Sequence, residues 1–193
     1  MNTQASRLGL SPLHRMPAMV RHSICLAVAC LLGACATTPR APEPTSLPSD
    51  GRVEVSWTDP AAFIEPSCRF TVEGRDTGWV RSLAQSTRDR AERLLPAGER
   101  LDIRFLVIDR AGECEPLPRS GGIIRVVREI YPPRITVHYR RTAADGRVLD
   151  EADRRLSNNG FLMDAGRLND NDPLRHERGM IDGWLRALLG TRR

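Results

Sequence analysis

The sequence predicts an α+β domain, an antiparallel sheet of about five strands with two helices packed on one face, in the order β-α-β-β-β-β-α. Three observations lead there. Apolar and polar residues alternate in several short runs, as half-buried strands require. Two longer stretches repeat apolar residues at helical spacing. The connections between the later runs are short, which favours antiparallel neighbours.

The elements follow in order. Val53, Val55 and Trp57 alternate with Glu54 and Ser56, giving the first strand. Asp76 can cap a helix carrying Trp79, Val80, Leu83, Thr87, Ala91 and Leu94, stopped by Leu95-Pro96-Ala97-Gly98. Leu101, Ile103, Phe105 and Val107 alternate as a second strand, and Ile123 to Tyr131 reads as a third. Pro132-Pro133 forbids a tight two-residue hairpin, because both hairpin turn types need a positive φ that proline cannot adopt. A bend, a strand exchange or a cis turn remains. Ile135, Val137 and Tyr139 form the next strand, and Asp145-Gly146 turns the chain back through Val148 and Leu149. Asp172 and Pro173 then open a helix with Ile181, Trp184, Leu185 and Leu188 on one face. Aromatic residues are only 5% of the chain, so Trp57, Trp79 and Trp184 are each expected to anchor the core.

Before this domain the chain has a different character. Arg21-His22 precedes the apolar run Ile24 to Leu32, which is too short to span a bilayer, and small residues follow it. That is the pattern of a secretory signal over residues 1–34, with translation starting at Met1 or at Met16 or Met19. Leu32-Gly33-Ala34-Cys35 resembles a lipobox, which makes Cys35 the expected lipidation site. By resemblance to lipoprotein sorting, Ala36 after the cysteine points to the outer membrane. Residues 35–50 read as the lipidated cysteine and a proline-rich tether in which nothing packs. At about 3.1 Å per residue its reach is about 45 Å. The folded domain is expected over 51–193.

Charge excludes little but guides one choice. The formal net charge is +5, yet three arginines and no acid precede Cys35, leaving 26 arginines against 24 acids. With no lysine anywhere, arginine serves at ordinary surface positions, and no basic stripe for nucleic acid is predicted. Cys25 and Cys30 leave with the signal and Cys35 carries lipid, so Cys68 and Cys114 remain. An oxidising compartment favours a bridge between them, and two separate buried thiols are the alternative.

The most distinctive run is Ile124-Arg125-Val126-Val127-Arg128-Glu129-Ile130-Tyr131-Pro132-Pro133-Arg134-Ile135. Together with Asp109-Arg110-Ala111-Gly112-Glu113, Asp145-Gly146 and Asp172-Pro173-Leu174-Arg175-His176-Glu177 before Trp184, it resembles the domain-of-unknown-function family numbered 3016, over roughly residues 52–189. The resemblance implies an exported proteobacterial protein and carries no catalytic residue with it. The chain departs from the family pattern at Arg155-Leu156-Ser157-Asn158-Asn159, where Leu-x-Asp would stand.

Sites of chemistry are few. After the signal only His138 and His176 remain, and no serine sits in a Gly-x-Ser-x-Gly elbow, so no catalytic residue is assigned. Asn169-Asp170-Asn171-Asp172 clusters oxygen ligands but lacks the glycine and closing glutamate of a calcium loop. Helix capping by Asp172 explains it, and neither a metal nor a cofactor is expected. Arg125, Arg128 and Arg134 flank the double proline. They read either as an anion site or as ion-pair partners of Glu129, Asp109 or Asp150. The expectation is therefore a membrane-anchored envelope lipoprotein that binds a partner or helps assembly. An anion- or small-ligand-binding module is the alternative and an envelope hydrolase the third reading.

Overall fold

In the computed structural model, residues 45–71, 76–118, 121–164 and 171–190 are described. The expected signal segment, Cys35 and residues 36–44 of the expected tether lie outside them. The elements are β1 (Val53–Trp57), α1 (Gly78–Leu94), β2 (Arg100–Asp109), β3 (Glu113–Pro116), β4 (Ile123–Val126), β5 (Arg134–Thr142), β6 (Val148–Ser157), the single turn α2 (Phe161–Asp164) and α3 (Arg175–Leu189). Two short 3-10 turns, Pro60–Phe63 and Pro66–Cys68, lie between β1 and α1.

The class is α+β, with a sheet organised differently from the expected five antiparallel strands. Four strands form the main sheet in the order β1-β2-β5-β6, while β3 and β4 pair separately as a small hairpin. β1 and β2 are parallel, because α1 carries the chain back between them, and the other two pairs are antiparallel. β4 ends at Val126, not at Tyr131, and pairs with a segment, Glu113–Pro116, that reads from sequence as a loop. The double proline is a bend into β5, with no cis peptide among the described residues.

One sheet face is apolar. Val53, Val55 and Trp57 lie beside Leu101, Ile103 and Phe105, and these lie beside Tyr139 and Val137, all buried under the helices. α1 presents Val80, Leu83, Ala84, Thr87 and Ala91 to this core, and α3 presents Met180, Ile181, Leu185 and Leu189. The alternation expected to continue to Val107 breaks at a bulge after Phe105. The extra residue shifts the phase, so Ile108 is buried and Val107 is exposed. β6 runs ten residues, far beyond Leu149, and half of them are charged, as suits an edge strand exposed to solvent.

Two sequence expectations change in detail. The domain begins by Thr45, before the expected residue 51. Leu47 is buried, its N–H donates to the Val55 carbonyl at 3.0 Å, and the Trp57 N–H donates to the Thr45 carbonyl at 2.8 Å. Of the three tryptophans, Trp57 is deep in the core, while Trp79 and Trp184 are only partly buried against it.

Candidate functional site

The C-terminal ends of β1 and β2 lead into the most heavily fastened part of the molecule. Cys68, in the second 3-10 turn, and Cys114, on β3, form a disulfide with their Cα atoms 5.2 Å apart, within the usual range. Arg125 on β4 reaches the same place. Its guanidinium pairs with Glu65 through both nitrogens, at 3.3 and 2.9 Å, and also donates to the Gly112 carbonyl at 3.1 Å. Both side chains of this pair are nearly buried, at 11% and 14% exposure. Gly112 has φ +88°, and a Cβ there would meet the Val126 carbonyl at 2.7 Å, so only glycine lets the hairpin close this tightly.

Beneath the hairpin sits a second buried ionic layer. Glu177, on the first turn of α3, accepts from the Ala111 N–H at 2.8 Å. Burial pushes its carboxyl pKa above the usual range, opposed by the Ala111 and Glu177 N–H groups and by Arg110 and Arg125. The Arg110 guanidinium lies 5.0 Å from the Trp79 ring centre, a cation–π contact, and donates to the Pro173 carbonyl. Free space at this junction is only about 10 Å³, so it fastens elements together and holds no ligand.

The three arginines expected as a possible anion site do not converge. Arg125 turns inward to Glu65, Arg128 pairs with Glu115 at 2.7 Å on the hairpin, and Arg134 pairs with Asp109 at 3.2 Å across the sheet. Each guanidinium has its own carboxylate, so the ion-pair alternative describes them. Of the expected partners only Asp109 is used.

Around this polar clasp the hairpin exposes apolar side chains beside the Arg128–Glu115 pair. Ile123, Ile124 and Val127 are exposed, and Ile130 is 69% exposed and Phe70 80%. Isolated exposed apolar residues are ordinary, whereas several on one small hairpin and its neighbouring turn are a concentration that the rest of the described surface does not match in one element.

A groove of about 580 Å³ lies at the opposite end of the sheet, between the β5–β6 turn and the end of α3. The Tyr139 hydroxyl donates to Asp150 at 2.8 Å, and the Trp184 ring meets the Tyr139 ring edge-on with centroids 5.7 Å apart. Burial, then the Asp150 bond, pushes the Tyr139 pKa up, against the pull of Arg154. Arg141 is held by Glu99 at 3.1 Å and by the Leu188 carbonyl at 3.0 Å. A tyrosine so shifted keeps its proton at neutral pH, so the groove offers hydrogen bonds and an aromatic wall, with no activated nucleophile.

With that geometry in place, the distinctive runs of the sequence acquire a common role. Arg110, Ala111, Gly112, Arg125 and Glu177 all meet at the clasp. The family model described as "Protein of unknown function (DUF3016)" matches residues 51–187. The chain belongs to this family. No curated protein and no solved structure matches it.

The remaining candidates in this DUF3016 domain stay apart. His138 lies on the open sheet face with Nδ1 2.8 Å from Asp153, and its neighbour on β2 is Arg104, not a nucleophile. His176 is buried, its ring edge-on to Phe161. Burial lowers its pKa, helped by Arg175. The Asp172 carboxylate accepts from the Leu174 N–H and pairs with Arg178 at 2.6 Å, so it shapes the turn before α3. Asn169 and Asp170 lie outside the described residues. Among the described residues no three His, Cys, Asp or Glu side chains are placed to hold a metal. The sequence reading passed over Glu65, Glu177 and the Tyr139–Asp150–Trp184 groove. Only Glu177 had a signal, inside a run already singled out.

Proposed function

We propose that this protein is a bacterial envelope lipoprotein, acylated on Cys35 and facing the periplasm at the outer membrane. On this reading its DUF3016 domain works by binding at the membrane surface, as a partner-binding or assembly module without catalysis. The observation that carries it is the apolar surface of the β3–β4 hairpin, exposed to solvent yet fixed by a disulfide and a buried ion pair. Such bracing keeps a sticky surface in one shape, so little ordering entropy is lost on contact. On this reading the acyl chains on Cys35 supply the membrane anchor. No helix among the described residues is long and apolar enough to cross a bilayer.

Two experiments test the reading. Cys35→Ser should leave an unprocessed precursor or a protein without acyl mass, and normal processing with unchanged acyl labelling would sink the lipoprotein assignment. A photo-crosslinker at Ile124 should form adducts in intact cells, while one at Thr136, on the polar sheet face, should not. Silence from Ile124 would remove the hairpin from the function.

A second reading rests on the groove. Its volume and its Tyr139, Asp150, Arg154 and Trp184 lining suit a small polar ligand stacked on an aromatic ring. Asp150→Asn should then abolish binding of that ligand in a screen of envelope sugars and amino acids. Absence of any hit with the native chain would retire the idea.

A further inference from the structure

The groove beside the β5–β6 turn is shaped by an irregularity in the sheet. Across the β5–β6 pair Arg141 lies opposite Asp150 and Thr142 opposite Val148, so Leu149 is one residue too many on β6. Neighbours in a regular strand point to opposite faces, but at this bulge Leu149 and Asp150 both line the groove. α3 adds Trp184 and Leu188, so the lining joins an apolar, aromatic part to the polar group of Tyr139, Asp150 and Arg154. The three tryptophans differ in what covers them. Trp57 is buried in the core with Arg81 over its ring, and Arg110 lies over the ring of Trp79. Trp184 is partly buried, meets Tyr139 edge-on and lines the groove. The charges there are already balanced. Arg141 is held by Glu99 at 3.1 Å and donates to the Leu188 carbonyl at 3.0 Å. Asp150 accepts from Tyr139 on Oδ2, and Arg154 acts on the same hydroxyl. Two guanidiniums, Arg141 and Arg154, therefore meet two carboxylates, Glu99 and Asp150, leaving no net charge.

We infer that the groove takes a short neutral sugar chain, with one ring laid against Trp184 and its hydroxyls at Asp150 and Arg154. The inference rests on the groove reading above and decides between the ligand classes which that reading leaves open. A sugar ring carries an apolar C–H face and an edge of hydroxyls, each able to donate and to accept. The lining matches both halves. Trp184 and Leu188 offer the apolar part, Asp150 keeps Oδ1 as an acceptor, and Arg154 supplies donors. A free amino acid carries two opposite charges. It would have to draw an arginine and a carboxylate from the partners they now hold, which leaves those partners uncompensated. A simple anion or cation would meet no excess of the opposite charge. At about 580 Å³ the groove has the size of ordinary small-molecule sites and exceeds what a single sugar ring fills, so a short chain suits it.

The test uses the full chain with neutral trisaccharides of glucose, of mannose and of N-acetylglucosamine, and with alanine, glutamate and lysine as the charged comparison. Tryptophan emission and the shift in melting temperature report binding. At least one trisaccharide should bind and change the emission, and none of the amino acids should. Trp184→Leu should abolish the emission change and weaken binding about fivefold, the scale of one aromatic contact. Arg154→Gln, at an exposed position, should weaken binding several-fold while the unliganded protein melts as before, and it decides the matter if Trp184→Leu fails to fold. Amino acids that bind where the sugars do not would keep the groove as a ligand site and overturn the sugar. Silence from both sets would remove the groove reading and this inference together. Sugar binding that survives the substitutions unchanged would place the sugar elsewhere and overturn the inference.

Discussion

The hairpin end and the groove end of the same sheet are held together by different physics. At the hairpin end, the second 3-10 turn, the turn after β2, β3, β4 and α3 meet at a disulfide, a two-pronged Arg125–Glu65 pair and the buried Glu177 carboxyl, and Cys114 is the one fully buried residue of the two hairpin strands. At the groove end, Tyr139 and Trp184 pack edge-on as part of the main core, and part-buried hydrogen bonds such as Tyr139 to Asp150 are added at its edge. A two-stranded hairpin cannot bury enough surface to stand alone, so covalent and ionic fastening replaces the missing core. The groove borrows its rigidity from a core that exists anyway. Stability at the first end should therefore respond to redox state and charge, and at the second to side-chain volume.

The largest effect should come from the bridge. Replacing Cys68 and Cys114 by serine opens a 46-residue loop, worth about 4 kcal/mol by loop entropy. Urea unfolding of the reduced and oxidised protein measures it, and a difference below about 1 kcal/mol would mean the ionic contacts alone hold the hairpin. Next, Glu65→Ala leaves Arg125 buried without its carboxylate. Because Arg125 keeps the Gly112 carbonyl, the loss should be about 3 kcal/mol, the lower end for a broken buried pair. Trp184→Ala at the groove end should cost about 2 kcal/mol, less than a fully buried tryptophan, since one side of the ring faces the groove. A loss at Trp184 larger than at Glu65 would reverse the comparison.

The sequence made the groove-side core legible and the hairpin end nearly illegible. Alternation located β1, β2 and β5, and helical spacing located α1 and α3, because each buries one face against the common core. β3 carries no such pattern: Glu113-Cys114-Glu115-Pro116 buries only Cys114, and what holds that cysteine is the bridge to Cys68. The pairing of those two cysteines follows from their being the two left once the expected signal and lipidation site are set aside, although the strand carrying one of them carries no pattern. β6 was cut short for a related reason, since its outward residues are charged and only Ala152 and Leu156 pack inward. The parallel β1–β2 pair was implicit in the β-α-β start, where a helical crossover permits parallel pairing. Arg125 illustrates the limit most clearly. Its type and neighbours suited an anion site, but its partner Glu65 is sixty residues away, at a distance only the folded chain brings together.

The smallest effect, and the sharpest probe of the hairpin end, is the pH dependence carried by Glu177. Its folded pKa lies above the ordinary glutamate value, mainly through burial. The folded state therefore keeps the proton to higher pH than the unfolded chain does. Stability must then fall as pH rises from about the unfolded value through the folded one, with no further change above it. Glu177→Gln imitates the protonated acid, and its amide oxygen can still accept from the Ala111 N–H. Near pH 4 the two proteins should unfold alike. Toward pH 8 the glutamine variant should become the more stable, by on the order of 1 kcal/mol, the size of one net hydrogen bond. Arg110 and Arg125 oppose this outcome, because each is drawn to the Glu177 carboxylate. Arg125 retains Glu65, however, and Arg110 retains the Trp79 face and the Pro173 carbonyl, so neither is left stranded by the substitution. A variant less stable than the native chain at pH 8 would show that arginine attraction outweighs burial. The clasp would then be a true ionic cluster of Glu177 with both arginines, and the hairpin end would depend on charge even more than its disulfide suggests.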